Sequence, residues 1–294
     1  MGYRLNWVLI LIYFVVNPTF SQGAEQERLS VFVSILPEVY FVNKIGGDRV
    51  SVHALVRPGQ SPATYGPTPK QMALLAKAHV YFRIGVGFEN SLVSKLRRTN
   101  EKLVIVDLRD GISLLEMEQH GANVEDGHNH EEELDPHVWL DPMLVKLQAE
   151  VIKNTLSEFD PSNSTFYETN YKVFVEQLNK LDRQLRQTMA PLVGRTIYVF
   201  HPAYGYFCHA YGLKQKSVTI NGKEPGAKHL VSLIKSARSE GVKVIFVQPQ
   251  FSRKAARSIA RAIDGVVVAL DPLAKDYLEN MESMAVRIRH SLEN

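Results

Sequence analysis

The strongest constraint on the fold is one long amphipathic pattern that runs from about Asn163 to Ala190. Its apolar residues recur every three or four positions, as along one face of an α-helix, and the residues between them are mostly polar. They are Tyr167, Tyr171, Phe174, Leu178, Leu181 and Leu185. Asp160-Pro161 suits the start of such a helix, and Pro191 suits its end. At 1.5 Å per residue this helix would span about 40 Å.

Short apolar stretches alternate with helical patterns on both sides of this helix. Two of the helical patterns, Thr68–Ala78 and Asn90–Leu96, precede it. The predicted strands are Leu29–Ile35, Val50–Val56, His79–Ile84, Leu103–Leu108, Thr196–Phe200, Lys214–Ile220, Val242–Gln248 and Val266–Leu270. Such alternation favours parallel sheets with right-handed crossovers. We therefore predict an α/β fold in which two parallel-sheet lobes (24–158 and 193–294) are joined by a spine helix (159–192). A long surface helix within a single domain is the alternative.

The composition excludes several classes of protein. The 294 residues are 45% hydrophobic and 22% charged, as in a globular protein of one or two domains. The net charge is only +3, and no basic stripe with interleaved aromatic residues is present, which argues against a nucleic-acid partner. The single cysteine, Cys208, excludes an internal disulfide and a zinc cluster built from cysteines.

The first 23 residues have the pattern of a secretory signal peptide. Arg4 supplies the positive start, Trp7–Val16 is a short apolar core, and Ser21 and Gly23 are small residues suited to cleavage. No cysteine follows, so a lipid anchor on a mature N-terminal cysteine is not expected. We therefore predict a protein exported to the periplasm, with a retained anchor helix as the alternative.

Three segments contain residues suited to binding a ligand. Arg57–Pro69 is rich in proline and glycine, which predicts an ordered loop. Glu116–Leu134 is acidic, lacks apolar periodicity, and contains His120, His128 and His130. Such composition is typical of a mobile loop, either simply solvated or able to capture metal weakly. In the third segment, 135–142, two Asp-Pro steps hold the backbone on either side of a histidine.

His137, His201 and Asp271 form the candidate ligand set. His137 lies between the two Asp-Pro steps, and His201 and Asp271 each follow a predicted strand and precede a proline. Ligand-binding groups of α/β proteins stand at such strand ends, although an aspartate before proline is also a common helix cap. Two imidazole nitrogens and a carboxylate oxygen suit zinc. The other histidines, at positions 53, 79, 209, 229 and 290, are interpreted as structural.

A set of motifs resembles the periplasmic metal-binding component of zinc and manganese ABC importers, from about Leu29 to His290. The motifs are Pro62-Ala-Thr-Tyr-Gly-Pro-Thr-Pro69, Gly85-Val-Gly-Phe-Glu89, Asp135-Pro-His-Val-Trp-Leu-Asp-Pro142, His201-Pro-Ala-Tyr-Gly-Tyr-Phe207, Gly222-Lys-Glu-Pro225 and Leu270-Asp-Pro-Leu273. The resemblance implies a metal cleft between two lobes, His137, His201 and Asp271 as ligands, and delivery of the ion to a membrane permease. It also implies a protein that is not an enzyme, and we expect a monomer.

Position 63 departs from the pattern of that family. The family's first histidine falls on Ala63, whose methyl group cannot coordinate a metal. The fourth position would then hold water, Gln60, Tyr65, or a histidine of the 116–134 loop (His120, His128 or His130). The histidine at position 201 favours zinc over manganese, because imidazole is a softer ligand than the carboxylate of manganese-type relatives. The short, acidic histidine loop weakens that preference.

Two other functions remain open. Two histidines and a carboxylate with an open position also occur in metal-dependent enzymes, but nothing in the sequence indicates a general base or a substrate pocket. A degenerate relative that has lost tight metal binding and acts in adhesion or regulation would explain Ala63. Metal content and a turnover screen distinguish these functions from that of a carrier.

Overall fold

The computed structural model describes residues 28–117, 134–219, 227–251 and 253–293. These residues form two four-stranded parallel sheets, one in each of two lobes, and one long helix lies between the lobes. The predicted fold class is confirmed. None of the helices in these ranges is long and apolar enough to cross a membrane.

The first lobe contains β1 to β4 and α1 to α3. Its strands are β1 (Leu29–Val33), β2 (Val50–Ala54), β3 (Val80–Arg83) and β4 (Val104–Asp107), and its helices are α1 (Leu36–Gly46), α2 (Pro69–Leu75) and α3 (Glu89–Thr99). Consecutive residues of the central strands, Val31–Val33 and Val80–Phe82, are all buried. Because side chains alternate between the faces of a strand, both faces of this sheet are covered.

The second lobe repeats this arrangement. Its strands are β5 (Thr196–Val199), β6 (Lys214–Ser217), β7 (Val244–Val247) and β8 (Val266–Ala269). The strand order is β2-β1-β3-β4 in the first sheet and β6-β5-β7-β8 in the second. Its helices are α6 (Gly205–Tyr211), α7 (Ala227–Ser239), α8 (Arg253–Ala262) and α9 (Tyr277–Glu293). On β7, Phe246 packs in the large core shared with the first lobe, whereas Ile245 and Val247 pack in a second cluster on the opposite face.

Two helices, α4 (Pro142–Phe159) and α5 (Ser164–Met189), connect the lobes. The 26 residues of α5 bury the predicted apolar face, with Tyr171 partly buried and the rest buried. Phe174 contacts Phe41 of α1, with ring centroids 5.9 Å apart, and Phe41 meets Tyr277 of α9 at 4.9 Å. One core therefore joins α1, α5 and α9, and with them the two lobes.

The sequence did not predict α1 or α4. Several predicted strands also extend one to three residues beyond the ends of the observed strands. The start of α4 has a local cause, since the Asp141 carboxylate accepts a hydrogen bond from the Met143 amide at 2.8 Å and Pro142 begins the helix. The strand ends differ because the ladder stops where a neighbouring strand no longer pairs, which local composition does not determine.

Phe174→Ala should lower the free energy of unfolding by about 3–5 kcal/mol, because Phe174 is fully buried and its truncation leaves a cavity in the shared core. Val173→Ala is the matched control, since the adjacent Val173 is 55% exposed and should change stability by less than about 0.5 kcal/mol. Urea denaturation measures both variants. Equal effects of the two substitutions would contradict the shared core.

Candidate metal centre

His137 and His201 lie side by side in a cavity between the two lobes. Their ring centroids are 5.4 Å apart and their planes are inclined at 71°. The cavity has a volume of about 290 Å³. The first lobe contributes Ala63 and the Gly85–Gly87 turn, and the second contributes Gln250 and Phe251. The two predicted histidine ligands, 64 positions apart in the chain, therefore meet in one cavity.

Asp135 and α6 hold His137 in place. One carboxylate oxygen of Asp135 lies 2.6 Å from His137 Nδ1 and also accepts the His137 amide at 2.9 Å. The Tyr206 hydroxyl of α6 donates to the Asp135 carbonyl at 3.0 Å. At position 205 a side chain would collide with the Asp135 carboxylate, since a Cβ there would lie 2.6 Å from Oδ2. A neutral His137 donates Nδ1–H to Asp135, which leaves Nε2 as the acceptor.

His201 stands directly after β5 and Phe200, and the side-chain amide of Gln248 fixes its backbone. Gln248 accepts the His201 amide at 3.2 Å and donates to the His201 carbonyl at 2.8 Å. The imidazole ring packs on Phe251 at 5.1 Å, and its buried Nδ1 has no hydrogen-bond partner within the described ranges. Burial, and secondarily the neighbouring His137, lowers the pKa of His201 to about 3. The ring is therefore neutral at physiological pH, which is the form that binds metals.

The Asp271 side chain borders the adjacent cavity. Its Oδ1 accepts hydrogen bonds from the Gln250 side chain at 2.9 Å and the Leu273 amide at 3.0 Å. That cavity, of about 250 Å³, shares Gln250 and Leu273 with the histidine cavity. Asp271 does not cap a helix, because α9 begins only at Tyr277.

Across the described parts of the chain, no three His, Cys, Asp or Glu side chains are grouped closely enough to hold a metal ion. The predicted convergence of His137, His201 and Asp271 is therefore absent from this conformation. Asp271 Oδ1 is instead hydrogen-bonded to the Gln250 side chain and the Leu273 amide, whereas the His137 ring is hydrogen-bonded to Asp135. Gln248 holds the backbone of His201.

The candidates for the fourth ligand differ in position. Ala63 lies exposed on a 3₁₀ turn, Pro62–Thr64, and lines the histidine cavity, as expected for the position of the missing ligand. The hydroxyl of Tyr65 instead donates to Gln71 at 2.8 Å, and Gln60 Oε1 accepts the Arg57 amide at 3.2 Å. Neither side chain lines the cavity. The three candidate loop histidines, His120, His128 and His130, lie outside the described residues.

Three contributors to this site were not predicted from the sequence. Asp135 was interpreted only as a backbone constraint, although its spacing of two residues before His137 already allows the observed bond. Gln248 and Gln250 follow β7, and the carboxyl ends of parallel strands are where functional groups stand. Their position after a predicted strand could therefore have identified them as candidate site residues. Among the histidines interpreted as structural, His79 accepts the Ser30 amide at 3.0 Å, and His53 is exposed on β2.

These features coincide with those of a known family. The sequence model of ZnuA, described as zinc-uptake complex component A, periplasmic, matches residues 31–291. The chain belongs to this family.

Individual members are similar over most of their length. The high-affinity zinc uptake system protein ZnuA of Bacillus subtilis is 30% identical over 260 residues, which cover 86% of this chain and 81% of that protein. A crystal structure of ZnuA aligns with a TM-score of 0.82 at 38% identity, covering 90% of this chain and 99% of the other. A ZnuA deletion mutant with zinc bound has the same TM-score and identity, covering 90% of this chain and 98% of the other.

The neutral, partly buried His201 predicts a pH dependence of stability in the metal-free protein. The unfolded chain takes up a proton at this side chain near pH 6.5, whereas the folded protein does so only near its pKa of about 3. As the pH falls through this window, His201 therefore lowers the free energy of unfolding by about 1.4 kcal/mol per pH unit. Between pH 7 and pH 5, His201→Gln should lose less stability than the wild type.

Denaturation in the presence of a chelator at the two pH values measures this difference. His209→Gln is the matched control, because His209 is exposed on α6 and should keep the wild-type dependence. An identical pH dependence in all three proteins would contradict a His201 with a lowered pKa.

Proposed function

We propose that this protein captures zinc in the cavity between its lobes through His137, His201 and Asp271, and delivers it to the membrane permease of an ABC importer. The observation that carries the proposal is the pair of neighbouring imidazoles in one inter-lobe cavity, one of them kept neutral by burial. Members of this family are extracytoplasmic solute-binding components of zinc importers, and this chain belongs to that family.

The donor chemistry supports zinc. Neutral imidazole is a preferred zinc ligand, and a carboxylate completes many zinc sites. The Asp135–His137 bond is the arrangement that fixes the tautomer of a zinc-binding histidine and raises its basicity. Manganese, which favours oxygen ligands, is the alternative cargo. The relatives support zinc as well, since one is named for high-affinity zinc uptake and another was crystallised with zinc.

Asp271 would join the site by a local movement. Its carboxylate would exchange the hydrogen bond from Gln250 for the ion, and Gln250 borders both cavities. The lobes need not separate for this change, because they share one core. Water would fill the position that Ala63 leaves open.

The remaining parts of the proposal concern export and partners. We propose that residues 1–23, which lie outside the described ranges, form a cleavable signal peptide and that the mature protein is a periplasmic monomer. The pair of imidazoles argues against a degenerate relative without tight metal binding. The named relatives are uptake proteins, which argues against an enzyme.

His137→Ala and His201→Ala should each weaken zinc binding by about 100-fold or more. Loss of a residue that only orients a ligand costs about 10–100-fold, and loss of the ligand itself should cost at least as much. Chelator competition at neutral pH measures the dissociation constant. His209→Ala is the control, because this exposed histidine does not line the cavity. Wild-type affinity in both cavity variants would refute the proposed function.

Ala63→His should strengthen zinc binding by about tenfold or more, because an imidazole at this place on the cavity wall can replace a water ligand. Thr64→His is the matched control, since Thr64 is exposed on the same turn but does not line the cavity. The same competition measurement serves for both. Unchanged affinity in Ala63→His would show that another group already occupies the fourth position.

A further inference from the structure

Helices α7 and α8 form one outer layer of the second lobe. Both pack on the sheet face that is turned away from the core shared with the first lobe, and their buried residues include Ala237, Ala256, Ile259 and Ala260. The two helices also contact each other, because the Arg238 guanidinium donates through Nε to the Ala262 carbonyl at 2.6 Å. Their outward sides therefore form a continuous surface.

This layer carries a strong positive charge. The thirteen residues of α7 include three Lys or Arg, the ten residues of α8 include four, and neither helix contains Asp or Glu. The net charge of the whole chain is only +3, so the remainder of the protein is net negative. The charge of the molecule is thus segregated, with a positive surface on one side of one lobe.

Five of these basic side chains are exposed to solvent and are called here the basic face: Lys235, Arg238, Lys254, Arg257 and Arg261. In the described ranges, none of the five forms an ion pair with a carboxylate. The acids that follow the two helices are Glu240, which lies 2.5 Å from Lys216, and the exposed Asp264. The positive field of the basic face is therefore largely uncompensated.

The character of the basic face favours a diffuse anionic partner over a shaped one. Protein interfaces are built around buried apolar and aromatic residues, but α7 and α8 contain no aromatic residue. Val231 is the exposed large apolar residue recorded on them. Lysine and arginine side chains on a convex helical layer match the charged phosphates of a bilayer surface, which require no pocket.

We propose that the basic face binds the anionic phospholipid headgroups of the membrane in which the permease lies. This interaction is separate from metal capture, because no described residue of α7 or α8 lines the histidine cavity. A protein held by this face keeps its cavity accessible. The interaction would keep the carrier close to the plane of the permease and so raise its encounter rate.

The test measures binding of the mature protein, without residues 1–23, to two kinds of vesicle. One is pure phosphatidylcholine, and the other is an equal mixture of phosphatidylcholine and phosphatidylglycerol. We expect binding to the mixed vesicles only, with a strong loss as the ionic strength rises from about 0.01 M to 0.15 M and the screening length falls from about 30 Å to 8 Å. The double variant Arg257→Glu, Arg261→Glu should bind at least about tenfold more weakly, since each basic residue contributes about fivefold.

The matched control is Arg97→Glu, Arg98→Glu on α3 of the first lobe. These arginines are also exposed near the end of a helix, and the change in net charge is identical. The control should keep wild-type lipid binding, and both variants should keep wild-type zinc affinity. If the reversed pair on α8 disturbs folding, as measured by thermal unfolding, Arg257→Gln with Arg261→Gln replaces it.

Three results would overturn the proposal. Equal loss in the α8 variant and the control would show that net charge, and not this face, determines binding. Equal binding to neutral and mixed vesicles would exclude recognition of anionic headgroups. Absence of binding to mixed vesicles at low ionic strength, with salt-sensitive binding only when the permease is present, would assign the face to an acidic protein surface.

Discussion

Burial of one face of α5 is the interaction on which the rest of the structure depends. The apolar side chains of this helix belong to a single core that also contains residues of α1, α6 and α9, so neither lobe has a fully separate interior. Separating the lobes would expose much of this apolar surface to water. The free-energy cost is roughly 25 cal/mol for each Å² exposed. A hydrogen bond also holds the lobes together, since Trp139 Nε1 of the first lobe donates to the Pro272 carbonyl of the second at 2.8 Å. The spacing of the cavity walls follows from this packing.

The cavity combines preparation for a metal with a cost in stability. The partly buried His201 imidazole stays neutral and can bind an ion without losing a proton. It disfavours the folded state, however, at any pH where the unfolded chain would be protonated. His137 is prepared differently, through a carboxylate that fixes its ring. Asp271 is the one candidate ligand that is not positioned to bind the ion, since its carboxylate is hydrogen-bonded to Gln250 beside the neighbouring cavity. On the proposed function, capture would therefore depend on the movement of one side chain.

Metal capture and the distribution of charge use different parts of the second lobe. The ends of its strands supply His201 and Gln250 to the cavity, whereas the opposite layer, α7 and α8, carries the basic face. The β7 strand connects these two regions, because Phe246 packs toward the shared core and Ile245 and Val247 pack under the outer helices. A sheet buried on both faces allows this division, since each face can carry its own helical layer.

The sequence alone determined the features that arise from local periodicity. The three-and-four spacing from Tyr167 to Leu185 predicted α5, and the alternation of short apolar runs with helical patterns predicted two parallel sheets. These predictions succeed because the geometry of a helix or a strand repeats over a few residues and needs no distant partner. His137, His201 and Asp271 were candidate ligands from their places at strand ends and beside prolines, and resemblance to a family added weight to this set.

The tertiary structure alone decided which side chains meet. It placed His137 beside His201, gave Asp135 and Gln248 their supporting roles, and left Asp271 bonded to Gln250. It also gave Tyr65 a partner in Gln71, away from the cavity. The pairing of His137 with His201 and that of Gln248 with His201 join residues far apart in the chain, and such pairings result from tertiary packing. The sequence shows which residue types are present and could interact. Tertiary packing determines which of them are brought into contact.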